Sequence, residues 1–110
     1  MAEKALRWVG SSLDDLRAFP AEARQDAGYQ LYRVQQGLTP SDWKPMTSVG
    51  RGVYEIRLRS TQEHRVFYVA RFKNAVYVLH AFEKKTQKTR QADIELGRQR
   101  LAAVLKAEGR

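Results

Sequence analysis

Three segments in the second half of the chain have the residue pattern of β-strands. The first, at residues 53–59, alternates apolar and charged side chains, as a strand with one buried face does. Two more, at residues 64–71 and 75–82, follow after short polar connections, which predicts an antiparallel meander. The last is almost wholly apolar, so we expect it to be a central strand covered on both faces.

Helical patterns lie on both sides of this meander. In residues 21–36 the apolar positions recur at helical spacing, and they are Ala23, Ala27, Leu31 and Val34. A final helix is predicted at residues 91–106, with an apolar stripe made of Ile94, Leu101, Val104 and Leu105. A short helix is expected around residues 13–19, and residues 4–9 have strand character.

The predicted fold class is α+β, in the order strand, helix, helix, three antiparallel strands, helix. Residues 38–52 are rich in Gly, Pro, Ser and Thr and are expected to form an ordered loop that leads into the sheet. A chain of 110 residues is the size of one compact domain, so we expect a single domain over residues 1–110.

Composition excludes several classes of site. The chain has no cysteine, which excludes disulfides and thiolate metal or redox sites, and two histidines cannot complete a usual structural zinc site. No metal or cofactor is therefore expected. No apolar run is long enough to span a membrane and no signal peptide is visible, so a cytoplasmic protein without membrane contact is expected.

The positive charge is concentrated in one part of the chain. The formal net charge is +8, from 20 Lys and Arg against 12 Asp and Glu. Residues 44–90 hold eleven of these bases but only three of the acids, so this segment carries the whole excess. Such localisation predicts an electropositive surface, for which a polyphosphate such as RNA is a natural partner.

One face of the predicted meander concentrates cations. Arg57 and Arg59 share a face of the first strand with Glu55, because the strand period is two. A short hairpin would bring Arg65, which opens the next strand, near Arg57, and Lys84 with Lys85 leave the last strand. The arrangement indicates an anion-binding concavity. The alternative is a solvated face on which Glu55 pairs with an arginine.

Familiar catalytic motifs are missing. There is no Gly-rich phosphate loop, no His-Glu-x-x-His and no Gly-x-Ser-x-Gly. His64 precedes Arg65, whose charge would favour the neutral imidazole, so His64 is a candidate base, and a surface histidine is the alternative. His80 lies in the apolar strand and is expected to be an interior histidine.

Two motifs resemble the RelE/ParE superfamily of type II toxins, and in particular its phage-derived, HigB-like branch. Tyr-x-x-Arg at residues 54–57 is followed by Arg-Val-x-Tyr at residues 65–68. The segment Leu-His-Ala-Phe-x-Lys-Lys-Thr at residues 79–86 is the more specific of the two. The order of the predicted elements resembles that superfamily over essentially the whole chain.

The resemblance implies a ribosome-dependent messenger-RNA endonuclease that uses no metal. In such enzymes the 2′-hydroxyl attacks the adjacent phosphate and leaves a 2′,3′-cyclic phosphate and a 5′-hydroxyl. By motif position, the resemblance assigns catalytic roles to Arg57, Arg65 and either Lys84 or Lys85. Arg65 is expected to hold the phosphorane charge and to matter more to catalysis than to folding. Other bases expected to contact RNA are Lys44, Arg51, Arg59, Lys88 and Arg90.

The chain also departs from the RelE pattern. Glu55 stands where RelE has a basic residue, and no tyrosine follows Lys85 before the final helix. The general base is therefore left open between Glu55, His64 and Lys85.

The implied partners are a cognate helix-turn-helix antitoxin and a ribosome with messenger RNA in its A site. Two other classes of function are open. One is a ParE-like inhibitor of DNA gyrase that cuts nothing, and the other is a non-catalytic nucleic-acid-binding module.

Overall fold

A computed structural model describes residues 3–59 and 62–109 and has the α+β order predicted, with one more strand. The elements are β1 (Ala5–Trp8), α1 (Ser12–Arg17), α2 (Ala21–Gln35), β2 (Trp43–Pro45), β3 (Val53–Leu58), β4 (His64–Val69), β5 (Ala75–Glu83) and α3 (Gln91–Ala107). No helix in the described ranges is both long and apolar enough to cross a membrane.

The five strands form one mixed sheet in the order β1-β5-β4-β3-β2. β3, β4 and β5 pair antiparallel, which confirms the predicted meander, and β1 pairs parallel with the first half of β5. β5 therefore has a strand on each side, as its apolar sequence predicted.

The sheet is covered on both faces. α1 and α2 pack on one face, where Leu16, Ala27 and Leu31 meet Ile56 and Val66. α3 covers the other face, and its Leu101 and Val104 belong to a second apolar cluster. The periodicity of α2 and α3 thus predicted the faces that these helices bury.

Strand β2 was not predicted, because residues 38–52 were expected to be a loop. Trp43–Pro45 pairs antiparallel with β3 at the edge of the sheet, where a proline is tolerated because its missing N–H faces away from the ladder. The register places Lys44 opposite Glu55. This pairing brings a cation from a region of turn-forming residues onto the charged face of β3.

The β4–β5 ladder contains a shift in register. Phe67 lies opposite His80, whereas Tyr68 lies opposite Val78, so Leu79 is an extra residue on β5. A bulge of this kind locally re-aims side chains. Here both Leu79 and His80 contact residues on the α3 side of the sheet.

Candidate active site

The cationic candidates meet on the α3 face of the sheet, at the end where β3 finishes and β4 begins. Arg57 lies directly opposite Arg65 in the β3–β4 register, as the hairpin predicted. Lys44 joins them from β2, and Lys84 follows the last residue of β5. Four chain segments therefore supply the cluster.

The carboxylate of Glu55 lies inside this cluster. Its Oε1 is 3.5 Å from Arg57 Nε, 3.6 Å from Arg65 Nε and 4.0 Å from Lys44 Nζ. The side chain has no exposed surface, and its Oε2 has no hydrogen-bond partner. The carboxylate is the internal counter-charge of three cations, a closer relationship than the single arginine pair considered from sequence.

Arg65 is held inside the protein rather than reaching into solvent. Only 4% of its side chain is exposed. Its Nη1 donates to the carbonyl of His64 at 3.0 Å, and its Nη2 donates to Glu63 Oε1 at 2.5 Å. A guanidinium with these partners is part of the folded core. From sequence, Arg65 was expected to matter more to catalysis than to folding, and its burial now leads us to expect a cost to folding as well.

Lys84 is the lysine that the cluster perturbs. Partial burial lowers the pKa of its ammonium, and the positive charges of Arg65, Lys44 and Arg57 lower it further, while the Glu55 carboxylate opposes them. The backbone N–H of Lys84 donates to the carbonyl of Glu63 at 2.7 Å, which fixes the segment where it leaves β5. From sequence, Lys85 was one of three candidate bases and Lys84 was not among them, and Lys85 is exposed in the structure.

Two open cavities border the cluster and share Lys84 and Gln87. One, of about 530 Å³, is lined by Glu63, Arg65, Lys84, Lys85, Thr86 and Gln87. The other, of about 450 Å³, extends past Lys44 and Lys88 to the start of α3. We call the two cavities together the basic groove. Its length along the exit from β5 suits an extended polyanion.

Of the bases expected to contact RNA, Lys44 and Lys88 line the basic groove. Arg59 is exposed just beyond β3, and Arg90 is exposed at the start of α3. Arg51 lies in the turn before β3, at the opposite end of that strand from Arg57. The structure therefore does not bring Arg51 to the groove.

His64 lies on the opposite face of the sheet from Arg65. Its ring is buried against Phe19, with centroids 4.5 Å apart, and its Nδ1 lies 3.2 Å from the carbonyl oxygen of Gln62. Neighbouring residues of a strand point to opposite faces, so His64 cannot reach a substrate held at Arg65. We leave His64 out of the candidate site, and its alternative as a surface histidine is also wrong because it is 2% exposed.

His80 is an interior histidine, as expected. Its Nε2 is 2.7 Å from Asp93 Oδ1 in the first turn of α3, and its ring stacks on Phe82 with centroids 4.7 Å apart. Burial lowers the pKa of His80, and the Asp93 carboxylate partly opposes that effect. A neutral ring with its proton on Nε2 fits this site. If Nδ1 were protonated as well, its N–H would be buried without an acceptor.

Sequence reasoning missed the acids that border the site. Glu63 binds Arg65, and Asp42 lies 3.9 Å from Arg57 and 3.5 Å from Arg59. Glu63 comes directly before β4, which bears Arg65, and this proximity was the available signal for that pair. Asp42 comes directly before β2, a strand that the sequence did not predict, so no signal placed it near Arg57. In the part of the chain that the structure describes, no group of three or more potential ligand side chains converges as a metal site.

The comparisons identify relatives of the sequence and of the fold. Residues 14–102 match the family described as phage-derived protein Gp49-like (DUF891). The fold is similar to that of a mutant of the E. coli toxin RelE in its free state, with a TM-score of 0.59 and 19% sequence identity. The similarity covers 94% of this chain and 99% of that one. No curated protein matches the sequence significantly.

Proposed function

This chain belongs to the Gp49-like family of phage-derived proteins and has the RelE fold, and from this premise we propose that it is the toxin of a type II toxin–antitoxin pair. The motif resemblance to the RelE/ParE superfamily is confirmed by these findings. Placement in the HigB-like branch stays a prediction. The proposed activity is cleavage of messenger RNA on the ribosome.

One observation carries the proposal: Arg65 and Lys84 line the basic groove, and Arg57 lies directly opposite Arg65 in the sheet, in a fold shared with a toxin. Cleavage by 2′-hydroxyl attack needs a base near that hydroxyl, cations around the phosphorane and an acid for the leaving oxygen. Arg57 and Arg65 supply two fixed positive charges, and Lys84 is a lysine whose pKa is lowered.

The proposed reaction assigns these groups in sequence. The neutral amine of Lys84 takes the proton of the 2′-hydroxyl, and the O2′–P bond forms as the P–O5′ bond breaks. Arg57, whose side chain is 27% exposed, contacts the phosphorane oxygens, and Arg65 adds its charge from the floor of the groove. A proton from the surrounding ammonium or water reaches O5′. The products are a 2′,3′-cyclic phosphate and a 5′-hydroxyl.

The partners follow from the same proposal. Ribosome-bound messenger in the A site would supply the positioning that the open groove lacks, and positioning can contribute about 7–11 kcal/mol to a barrier reduction. An acidic antitoxin of the helix-turn-helix type would complement the basic groove until it is removed.

The decisive experiment is single-turnover cleavage on ribosomes programmed with a defined message. We expect cleavage in the A site with cyclic-phosphate ends, and far slower cleavage of the same message without ribosomes. Arg57→Gln should abolish cleavage, and Arg51→Gln should not. Intact message combined with loss of gyrase supercoiling activity would instead support the ParE-like alternative. Binding of RNA without cleavage would support the non-catalytic module.

A further inference from the structure

Glu55 is the only buried acidic residue within residues 3–59 and 62–109. It comes from the middle of β3, and cations on β2, β3 and β4 surround its Oε1 at 3.5 to 4.0 Å. The proposed reaction gives this carboxylate no part. A buried charge with three such neighbours needs a physical explanation, because an isolated carboxylate in this position would be strongly unfavourable.

The geometry excludes Glu55 as the general base. A base must come within about 3 Å of the hydroxyl proton that it removes. The side chain of Glu55 has no exposed surface, and its Oε2 is buried as well. Lys44, Arg65 and Lys84 line the basic groove, whereas Glu55 does not.

The same geometry gives Glu55 a different role. Lys44, Arg57 and Arg65 lie on adjacent strands and would repel one another in the free protein. The Glu55 carboxylate between them offsets one of these three charges, while the more exposed Glu63 and Asp42 pair with Arg65 and Arg57. Its contacts with the Nε atoms also restrict where the two guanidinium groups lie.

We propose that Glu55 is a positioning residue, a buried counter-charge that keeps Arg57 and Arg65 assembled in the free protein and tunes the electrostatic environment of Lys84. The part that concerns RNA cleavage rests on the proposed function. The part that concerns the cluster itself does not.

The pKa of Lys84 can be measured without any activity assay, and it depends on the charges of the cluster. The charged groups around Lys84 are Arg65, Arg57, Lys44, Glu55 and Glu63, with Glu83, Lys85 and Lys88 near it on its own segment. Glu55 raises the pKa of Lys84, whereas burial and the cations lower it. Glu55→Gln keeps the side-chain shape and removes the charge, so it should lower the Lys84 pKa further.

The first test measures that pKa in the free, full-length protein by NMR titration of labelled lysine side chains. Glu55→Gln should move the Lys84 titration to lower pH. The matched control is Glu22→Gln, which removes the same charge from the exposed first turn of α2, on the other side of the sheet, and should leave the Lys84 titration unmoved. An unchanged Lys84 titration in Glu55→Gln would overturn the proposal.

The second test is cleavage on programmed ribosomes. Glu55→Gln should lower the single-turnover rate by about ten- to a hundredfold, the usual loss when a supporting residue behind a site is removed. The rise of rate with pH should shift to lower pH with the Lys84 titration. Glu55→Asp keeps the charge but shortens its reach, so it should retain the Lys84 titration and still lose rate.

The outcomes separate the two proposals. If wild-type protein cuts no message, the proposed function fails, and the NMR titration still decides the role of Glu55. If Glu55→Gln does not fold, Glu55→Asp remains as the test, and a wild-type cleavage rate in that variant would overturn the positioning role.

Discussion

Arg65 Nη2 donates to Glu63 Oε1 at 2.5 Å, so a half-exposed carboxylate caps a guanidinium that is almost fully buried. The hydrogen bond from Arg65 lowers the pKa of Glu63, so its carboxylate stays anionic at lower pH than a free glutamate does. Glu63 thus accepts a hydrogen bond from an Arg65 N–H that would otherwise be available to a phosphate oxygen. Substrate must compete with this carboxylate for Arg65.

Glu63→Gln should therefore strengthen RNA binding. We expect a gain of about three- to tenfold in affinity, because a charge-assisted bond that opposes phosphate binding is removed. The measurement is binding of a non-cleavable 2′-O-methyl RNA at fixed salt, since such affinities depend steeply on salt. The control Glu22→Gln changes the net charge equally, but in α2, on the other side of the sheet. An equal gain in both variants would mean that net charge alone is responsible.

Arg65→Ala should destabilise the fold as well as lower cleavage. Removing one partner of a buried ion pair typically costs about 3–5 kcal/mol, and we expect about 3 kcal/mol here because Glu55 keeps two other cations. Urea denaturation measures this free energy of unfolding. Arg51→Ala, at an exposed turn, should stay within about 0.5 kcal/mol of wild type. A fully stable Arg65→Ala protein would contradict the buried role described for Arg65.

The cleavage rate should rise with pH because of Lys84. Its lowered pKa means that the neutral amine appears at lower pH than in free lysine, so the rate should climb until the pH passes the Lys84 pKa, below 10.5. Lys84→Arg stays protonated and should lose this rise together with about a hundredfold or more in rate. Lys85→Arg should keep both. A wild-type pH profile in Lys84→Arg would remove Lys84 as the base.

His80 should make stability depend on pH. Burial lowers its pKa in the folded state, so the unfolded chain binds the proton more readily. The stability that it contributes is fully present above its pKa in the unfolded chain, about 6.5. That stability is lost as the pH falls from there toward its pKa in the folded protein. Urea midpoints between about pH 7.5 and pH 5 measure the slope, and His80→Gln should flatten it. An identical slope in both proteins would argue against a buried neutral His80.

Replacement of two helical glycines with alanine should have opposite effects on the stability of the fold. A Cβ at Gly28 in α2 meets nothing within 4 Å, so Gly28→Ala should stabilise by up to about 1 kcal/mol through helix propensity. A Cβ at Gly97 in α3 would lie 2.9 Å from Val49 Cγ1 and 3.2 Å from Phe67 Cδ2. Gly97→Ala should destabilise by about 1–3 kcal/mol through overpacking. Thermal melting of the two variants measures both changes in stability. Stabilisation by both substitutions would contradict the packing described at Gly97.

The sequence by itself determined the order of the main elements and the faces of the strands. Alternation in residues 53–59 placed Arg57 with Glu55, and the apolar run in residues 75–82 identified a central strand. These inferences succeed because the alternation of side chains and their hydrophobicity are local properties of a strand. Charge segregation likewise pointed to the part of the chain that forms the basic groove.

Only the tertiary structure decided which charged groups meet. The two-residue period of a strand fixes which face a side chain lies on but not the register between strands. The pairing of Lys44 with Glu55 and the bulge at Leu79 therefore could not be predicted from the sequence. Strand β2 is three residues long and contains a proline, so it depends on its neighbour β3 rather than on its own pattern. Burial of Arg65, the packing of His64 under Phe19 and the crowding of Lys84 depend on segments far apart in sequence. The electrostatic environment of a side chain depends on which residues pack around it, and that packing forms only when the strands and helices assemble.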